Sequence, residues 1–311
     1  MADKIATRQA YGEVLVELGA QNENIIVMDA DLSGSTMTKL FAKAYPNRFF
    51  NVGVAEQNMC GIAAGLAVSG KTVFASSFAM FAAGRAFEVI RNSVAYPHLN
   101  VKICASHAGV TVGEDGGSHQ CIEDIALMRT IPGMVVVNPS DAVSAKKLLK
   151  QVAEKSGPAY VRLGRAAVPV LYNEDASVEI GKAVTLREGK DYTIIATGIM
   201  VYEALTAADA LAKHGIDVRV LDMHTIKPID EEAVIKAAKE TKGIITAEEH
   251  SIIGGLGSAV AEVTARKCPA PMAFVGISDR FGQSGKPAAL LKEYNLTAED
   301  IINAVKSFGE K

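Results

Sequence analysis

The sequence has no excess charge of one sign. Its 32 Lys and Arg stand against 35 Asp and Glu, a formal net charge of -3. That balance argues against a nucleic-acid or anionic-membrane binder, while leaving room for a local basic pocket. Cysteine is scarce. Cys60, Cys104, Cys121 and Cys268 form no CxxC pair, which argues against a zinc site, so no metal ligands are assigned. Their apolar or helix-like surroundings predict four buried, reduced thiols. The opening MADKIATRQAYGEVL lacks the apolar core of a secretory leader. No apolar run reaches the length of a membrane span, and low-complexity tracts and obvious repeats are absent. A soluble, cytoplasmic protein is the expectation.

What the chain does have is length and apolar content. Its 311 residues, 49% hydrophobic, suggest two domains with real cores. Short β-rich runs at 24–28, 48–52, 72–75, 101–105, 134–137 and 159–162 alternate with helical stretches near 4–19, 55–69, 80–95 and 140–155. The runs are nearly continuous in apolar residues, as strands buried on both faces of a parallel sheet are. Segment 164–191 loses this periodicity and reads as a linker with one or two edge strands. A second alternation follows, with strands at 192–196, 217–221, 243–246 and 272–275 and helices near 200–214, 230–241, 256–267 and 297–307. The predicted fold is α/β: a doubly wound, mostly parallel sheet in domain 1–170, a linker at 171–190, and a smaller α/β domain at 191–311.

Three stretches carry chemistry: NVGVAEQNMCG at 51–61, SSFAMFAAGRAFEVIRNSVA at 76–95 and HAGVTVGEDGGSHQ at 107–120. In the third, two histidines bracket an acidic, glycine-rich loop directly after a predicted strand. Ligands of open α/β sheets bind at the carboxyl ends of strands. The loop reads either as a His–Asp–His proton shuttle or as a solvated turn. Glu56 opens a helix, where it is either a functional acid or a charge that complements the helix N-terminus. That helix also holds Gly61, Ala63, Ala64, Gly65 and Ala67, small residues that suit tight packing within a domain or a subunit interface.

The ordered set ATR, DADLSGS, GVAEQ, SFAMF, HAGVTVGEDGGSH and RLGR resembles the pyrimidine-binding domain of transketolases. DVRVLDMHTIKPID and AEEHSIIGGLGSAVAEV resemble their C-terminal domain. The resemblance runs from about residue 4 to the end. The family's first half, with its GDG…N motif for magnesium and diphosphate, has no counterpart here. The resemblance therefore implies the C-terminal subunit of a two-chain transketolase that uses thiamine diphosphate and Mg2+. The metal would be ligated mainly by the partner subunit carrying the GDG…N motif, in a heterotetramer.

It also implies roles for particular residues. Glu56 matches the acid that contacts N1′ of the aminopyrimidine and so promotes loss of the thiazolium C2 proton. Phe78 and Phe81 match the aromatics that stack on that ring, and Asp31 a position near the cofactor. Where the family has a third aromatic the chain has Gly84, with Phe87 as the nearby substitute. His107, His119 and Asp115 match the catalytic set on the donor ketose. Arg8, Ser35 and Arg165 match the residues that bind the sugar phosphate, and Arg162 ranks below Arg165. The implied reaction transfers a two-carbon ketol unit between ketose and aldose phosphates. The rivals are a β subunit of a 2-oxoacid dehydrogenase E1, a deoxyxylulose-phosphate-synthase-like enzyme and a non-catalytic binding module.

Overall fold

A computed structural model describes residues 3–308. Its strands are β1 (Lys4–Ala6), β2 (Ile25–Asp29), β3 (Phe49–Asn51), β4 (Thr72–Phe78), β5 (Val101–Ser106), β6 (Val135–Val137), β7 (Ala159–Arg162) and β8 (Ala167–Pro169), followed by β9 (Val184–Arg187), β10 (Tyr192–Ala196), β11 (Val218–Asp222), β12 (Thr225–Lys227), β13 (Ile244–Ser251) and β14 (Met272–Ile277). One sheet has seven strands in the order β12-β6-β7-β5-β4-β2-β3, parallel except at the β12 edge. A second has five, β14-β13-β10-β11-β9, antiparallel only where β9 joins. The short strands β1 and β8 pair with each other.

Burial explains the apolar runs. Every residue of β2, β4 and β5 is buried, so neither face of these central strands meets water. The parallel order also decides where chemistry collects. Strands β5, β4, β2 and β3 are neighbours pointing the same way, so their carboxyl ends share one edge. His107 follows β5, Phe78 ends β4, Asp31 follows β2, and Glu56 lies shortly after β3. This is the sheet edge at which open α/β folds bind ligands.

Three expectations need correction. The stretch near 80–95 is not one α-helix. It runs as a π-helix at Met80–Arg85, a short α-turn at Phe87–Val89 and a second π-helix at Ile90–Ala95. Such i→i+5 bulges are rare and favour functional sites. The first helix starts at Thr7, because residues 4–6 pair as a strand with β8. Cys268 is only half-buried, at the end of helix Leu256–Lys267, whereas the other three thiols are buried.

The two sheets are tied together. Strand β12, which follows β11 of the second sheet, crosses to pair antiparallel with β6 of the first. Between the sheets lies a seam of charged groups. Arg162 donates from Nε to Asp124 (2.8 Å) and from Nη2 to the carbonyl of Glu249 (2.9 Å). Tyr160 donates to the same Asp124 carboxylate at 2.7 Å. Glu248 accepts the N–H groups of Leu256 and Gly257, capping the helix that the glycines at 254 and 255 turn into.

Candidate active site

The register of the central sheet builds the site. Phe78 stands opposite Ser106, so the residue that follows β5, His107, falls against the phenylalanine ring. The two rings stack with centroids 3.8 Å apart. One turn on, Phe81 lies nearly parallel to Phe78 at 6.0 Å. His119 closes the cluster edge-on, 5.2 Å from Phe81 and 6.3 Å from Phe78. Four sequence-predicted residues thus form one aromatic wall. Phe87 does not join it and packs against an apolar core that spans both domains.

His107 holds its place with a left-handed backbone, φ 59°. Few residues other than glycine adopt it, and such strain persists mostly where function requires it. Its Nδ1 shares a 2.9 Å hydrogen bond with Ser106 Oγ. Burial, then the positive charge of Arg8 and Arg165 and the neighbouring His119, pushes the imidazolium down to about 3. Near neutral pH the ring is therefore uncharged, and a neutral imidazole offers one nitrogen as a hydrogen-bond acceptor. His119, half-buried, makes the matching contact from Nδ1 to Ser118 Oγ, at 2.9 Å.

Glu56 is the first residue of helix Glu56–Val68 and only 2% exposed. Its Oε2 accepts a hydrogen bond from Arg85 Nη1 at 2.8 Å, and that arginine is half exposed. The Arg85 guanidinium also lies over the Phe81 ring, 4.8 Å from its centroid. Glu56 therefore joins the aromatic wall through Arg85. Sequence reasoning missed this residue. The available signal was its spacing, four residues after Phe81 in a helical segment.

At the other edge, Arg8 donates to the Ser35 carbonyl at 2.6 Å, and Arg165 donates to the Val112 carbonyl at 2.7 Å. Arg165 has a looser ion pair with exposed Glu114, at 3.4 Å. Burial and the nearby Arg165 push Arg8 below its ordinary range. Two cations that repel each other make a site ready for an anion. Asp31 is tied to Asn51 by reciprocal hydrogen bonds of 3.1 and 2.9 Å, and Asp115 is exposed in the loop. Neither packs into the aromatic wall. Arg162 is buried in the seam, where its partners are structural.

The second domain braces the histidine loop from behind, which sequence reasoning also missed. Thr111 N–H donates to Glu249 Oε1 at 2.6 Å. Gly109 has φ 80°, and a Cβ there would collide with the Glu249 carboxylate. Burial pushes the Glu249 carboxyl up to about 7 against the opposing pull of Arg162. Gln120 donates to the carbonyls of Val110, Gly113 and Gln283, tying the loop to the segment before helix Pro287–Glu293. A cleft of about 760 Å³ opens between the domains, lined by Phe81, Arg85, Gln120, Glu123, Asp279 and Phe281 among others.

A buried carboxyl beside paired aromatics and two histidines fits the pyrimidine end of a thiamine cofactor. Among the described residues, no group of three His, Cys, Asp or Glu is placed to hold a metal ion. No helix among them is long and apolar enough to cross a membrane.

The family models agree with this architecture. Residues 3–170 match the transketolase pyrimidine binding domain, and residues 181–301 the transketolase C-terminal domain. The chain belongs to the transketolase family, whose reaction is of the ketol-transfer type. Within that family it matches the C-terminal section of a split, two-chain enzyme. A putative transketolase C-terminal section from Methanocaldococcus jannaschii is 56% identical, covering 96% of this chain and 94% of that one. The 6-deoxy-6-sulfo-D-fructose transketolase subunit SqwH from a Clostridium species is 44% identical over 98% of this chain and 94% of its own length. Among solved structures, a split-gene transketolase described as an inactive β4 tetramer superposes with a TM-score of 0.92. It is 55% identical, with 97% of this chain and 98% of that one covered.

Proposed function

We propose that this chain is the pyrimidine-side subunit of a two-chain, thiamine-diphosphate-dependent transketolase that moves a two-carbon ketol unit between sugar phosphates. The observation that carries the reading is Glu56, buried at the rim of the Phe78–Phe81 pair with His107 and His119 on the same wall. When bound, thiamine diphosphate supplies the electron sink for making and breaking the carbon–carbon bond. Glu56 hydrogen-bonds the aminopyrimidine, Phe78 and Phe81 stack on it, and Asp31 lies near the cofactor. Neutral His107, with His119, contacts the donor hydroxyls and moves protons, and Asp115 holds the 2-hydroxyl. Arg8 and Arg165, with Ser35, grip the terminal phosphate. The Clostridium relative's substrate carries a sulfonate at its end, and the same arginine pair suits either anion.

Diphosphate and Mg2+ fall to an N-terminal partner subunit with the GDG…N motif. The inactive β4 form of the split-gene relative supports this division. So does helix Glu56–Val68. Met59, Cys60, Ala63, Ala64 and Ala67 pack inward, while Gly61 and Gly65 face outward with open space beside them. Val54, Ile62 and Val68 are exposed around them. This face meets another subunit of a heterotetramer.

The test is reconstitution with the partner, cofactor and Mg2+. The complex should convert xylulose 5-phosphate and ribose 5-phosphate, and the chain alone should not. Turnover by the chain alone would refute the division of labour. Decarboxylation of a 2-oxoacid without ketol transfer would favour the dehydrogenase rival.

A further inference from the structure

The ion pair between Glu56 and Arg85 has a chemical shape of its own. A guanidinium is planar, delocalised and rich in N–H donors. Arg85 uses its flat face against Phe81, at 4.8 Å, and one N–H against Glu56 Oε2, at 2.8 Å. A stacked ring and a carboxyl hydrogen bond are also the two contacts through which this wall would hold an aminopyrimidine. Both cannot use the same Phe81 face and the same Glu56 oxygen at once.

We propose that Arg85 is an internal stand-in for the cofactor ring, occupying the pyrimidine position of the chain and leaving it when the cofactor enters. The inference rests on the thiamine reading and deepens it by naming the group that the cofactor must displace. The energetics of the two partners make the exchange reasonable. Glu56 is 2% exposed, and a buried carboxylate without a partner is strongly disfavoured. Arg85 is half exposed, so it loses little by turning toward water. Arg85 therefore stays until another donor replaces it. Its segment is a π-helix, a departure from α geometry that is frequent at functional sites. The Gln57 side chain bonds the residue 85 carbonyl at 3.2 Å, so the backbone can stay fixed while the side chain turns. The adjoining cleft has room for the side chain and places Glu123 and Asp279 on its lining.

A competing internal ligand lowers the apparent affinity for the real one by the fraction of molecules in which it has moved aside. Two measurements on the reconstituted complex test this. In calorimetric titration with thiamine diphosphate and Mg2+, Arg85→Ala should bind at least ~5-fold more tightly than the native complex. Equal or weaker binding overturns the proposal. A structure of the native complex with cofactor bound covers the case in which the variant does not assemble. Glu56 on the pyrimidine with Arg85 turned away supports the exchange. Glu56 on the pyrimidine with Arg85 still on Oε2 overturns it and leaves the thiamine reading intact. Glu56 away from the pyrimidine overturns both.

Discussion

Arg162 and Arg165 are three residues apart and work in opposite ways. Arg162 is 4% exposed and bonded to Asp124 and to the Cys121 and Glu249 carbonyls. Arg165 is 38% exposed, with one carbonyl partner and a loose contact to Glu114. The first holds two domains together. The second keeps donors in reserve beside Arg8. The contrast extends to acids: Glu249 and Asp124 are enclosed in the seam, whereas Glu56 is held by an arginine half open to solvent. Charge inside a protein marks a ligand site only where its partners can be exchanged.

If that division is right, damage at the seam should appear as lost stability and damage at the rim as lost function. The largest stability effect should come from Arg162→Ala, which leaves the buried Asp124 carboxylate with no cationic partner and only the Tyr160 hydroxyl. Removing one partner of a buried pair costs about 3–5 kcal/mol. Denaturant unfolding of the chain should show it; a loss under about 1 kcal/mol would blur the comparison.

Glu249→Gln sharpens it through pH. The folded-state carboxyl is raised to about 7 from an ordinary 4.5, by burial. Between those values the folded protein binds the extra proton, so native stability falls as pH rises through that window. The glutamine variant lacks this slope while keeping an oxygen for Thr111 N–H. Native stability relative to the variant should therefore decline from about pH 4.5 to about 7, by up to about 3 kcal/mol, and level off above. Parallel melting-temperature curves across that range would contradict it.

At the rim, Arg165→Ala should leave melting nearly unchanged. It should raise KM for a phosphorylated donor by ~10-fold, the lower end for a charge-assisted pair because the group is partly exposed. Hydroxypyruvate, which has no phosphate, should be little affected. Equal losses for both donors would remove Arg165 from the phosphate site.

Much of this contrast is legible in the amino-acid sequence. Apolar runs mark the buried strands, and β7 and β10 fall where expected, at 159–162 and 192–196. His107 and His119 stand out because a strand end and a glycine-rich loop are local signals, whereas Glu56, Phe78 and Phe81 are marked by the family resemblance. The seam is hidden because its contacts are long-range. Arg162 meets Glu249, 87 residues away, and nothing local in AEEHS says that its acids turn inward. Strand β12 is three residues long and pairs across domains, beyond the reach of periodicity. The π-helical turns escape because a helical apolar pattern does not distinguish i→i+5 from i→i+4 bonding, and Arg85 escapes with them.

The central claim is that Glu56 acts on the cofactor rather than merely starting a helix. Exchange of the cofactor's C2 proton into deuterated water tests it, by quenched NMR on reconstituted complexes at saturating cofactor. Glu56→Ala should slow exchange by at least ~10²-fold, the scale of a lost acid–base group, while the complex still assembles. Exchange at the native rate in that variant would remove Glu56 from the chemistry.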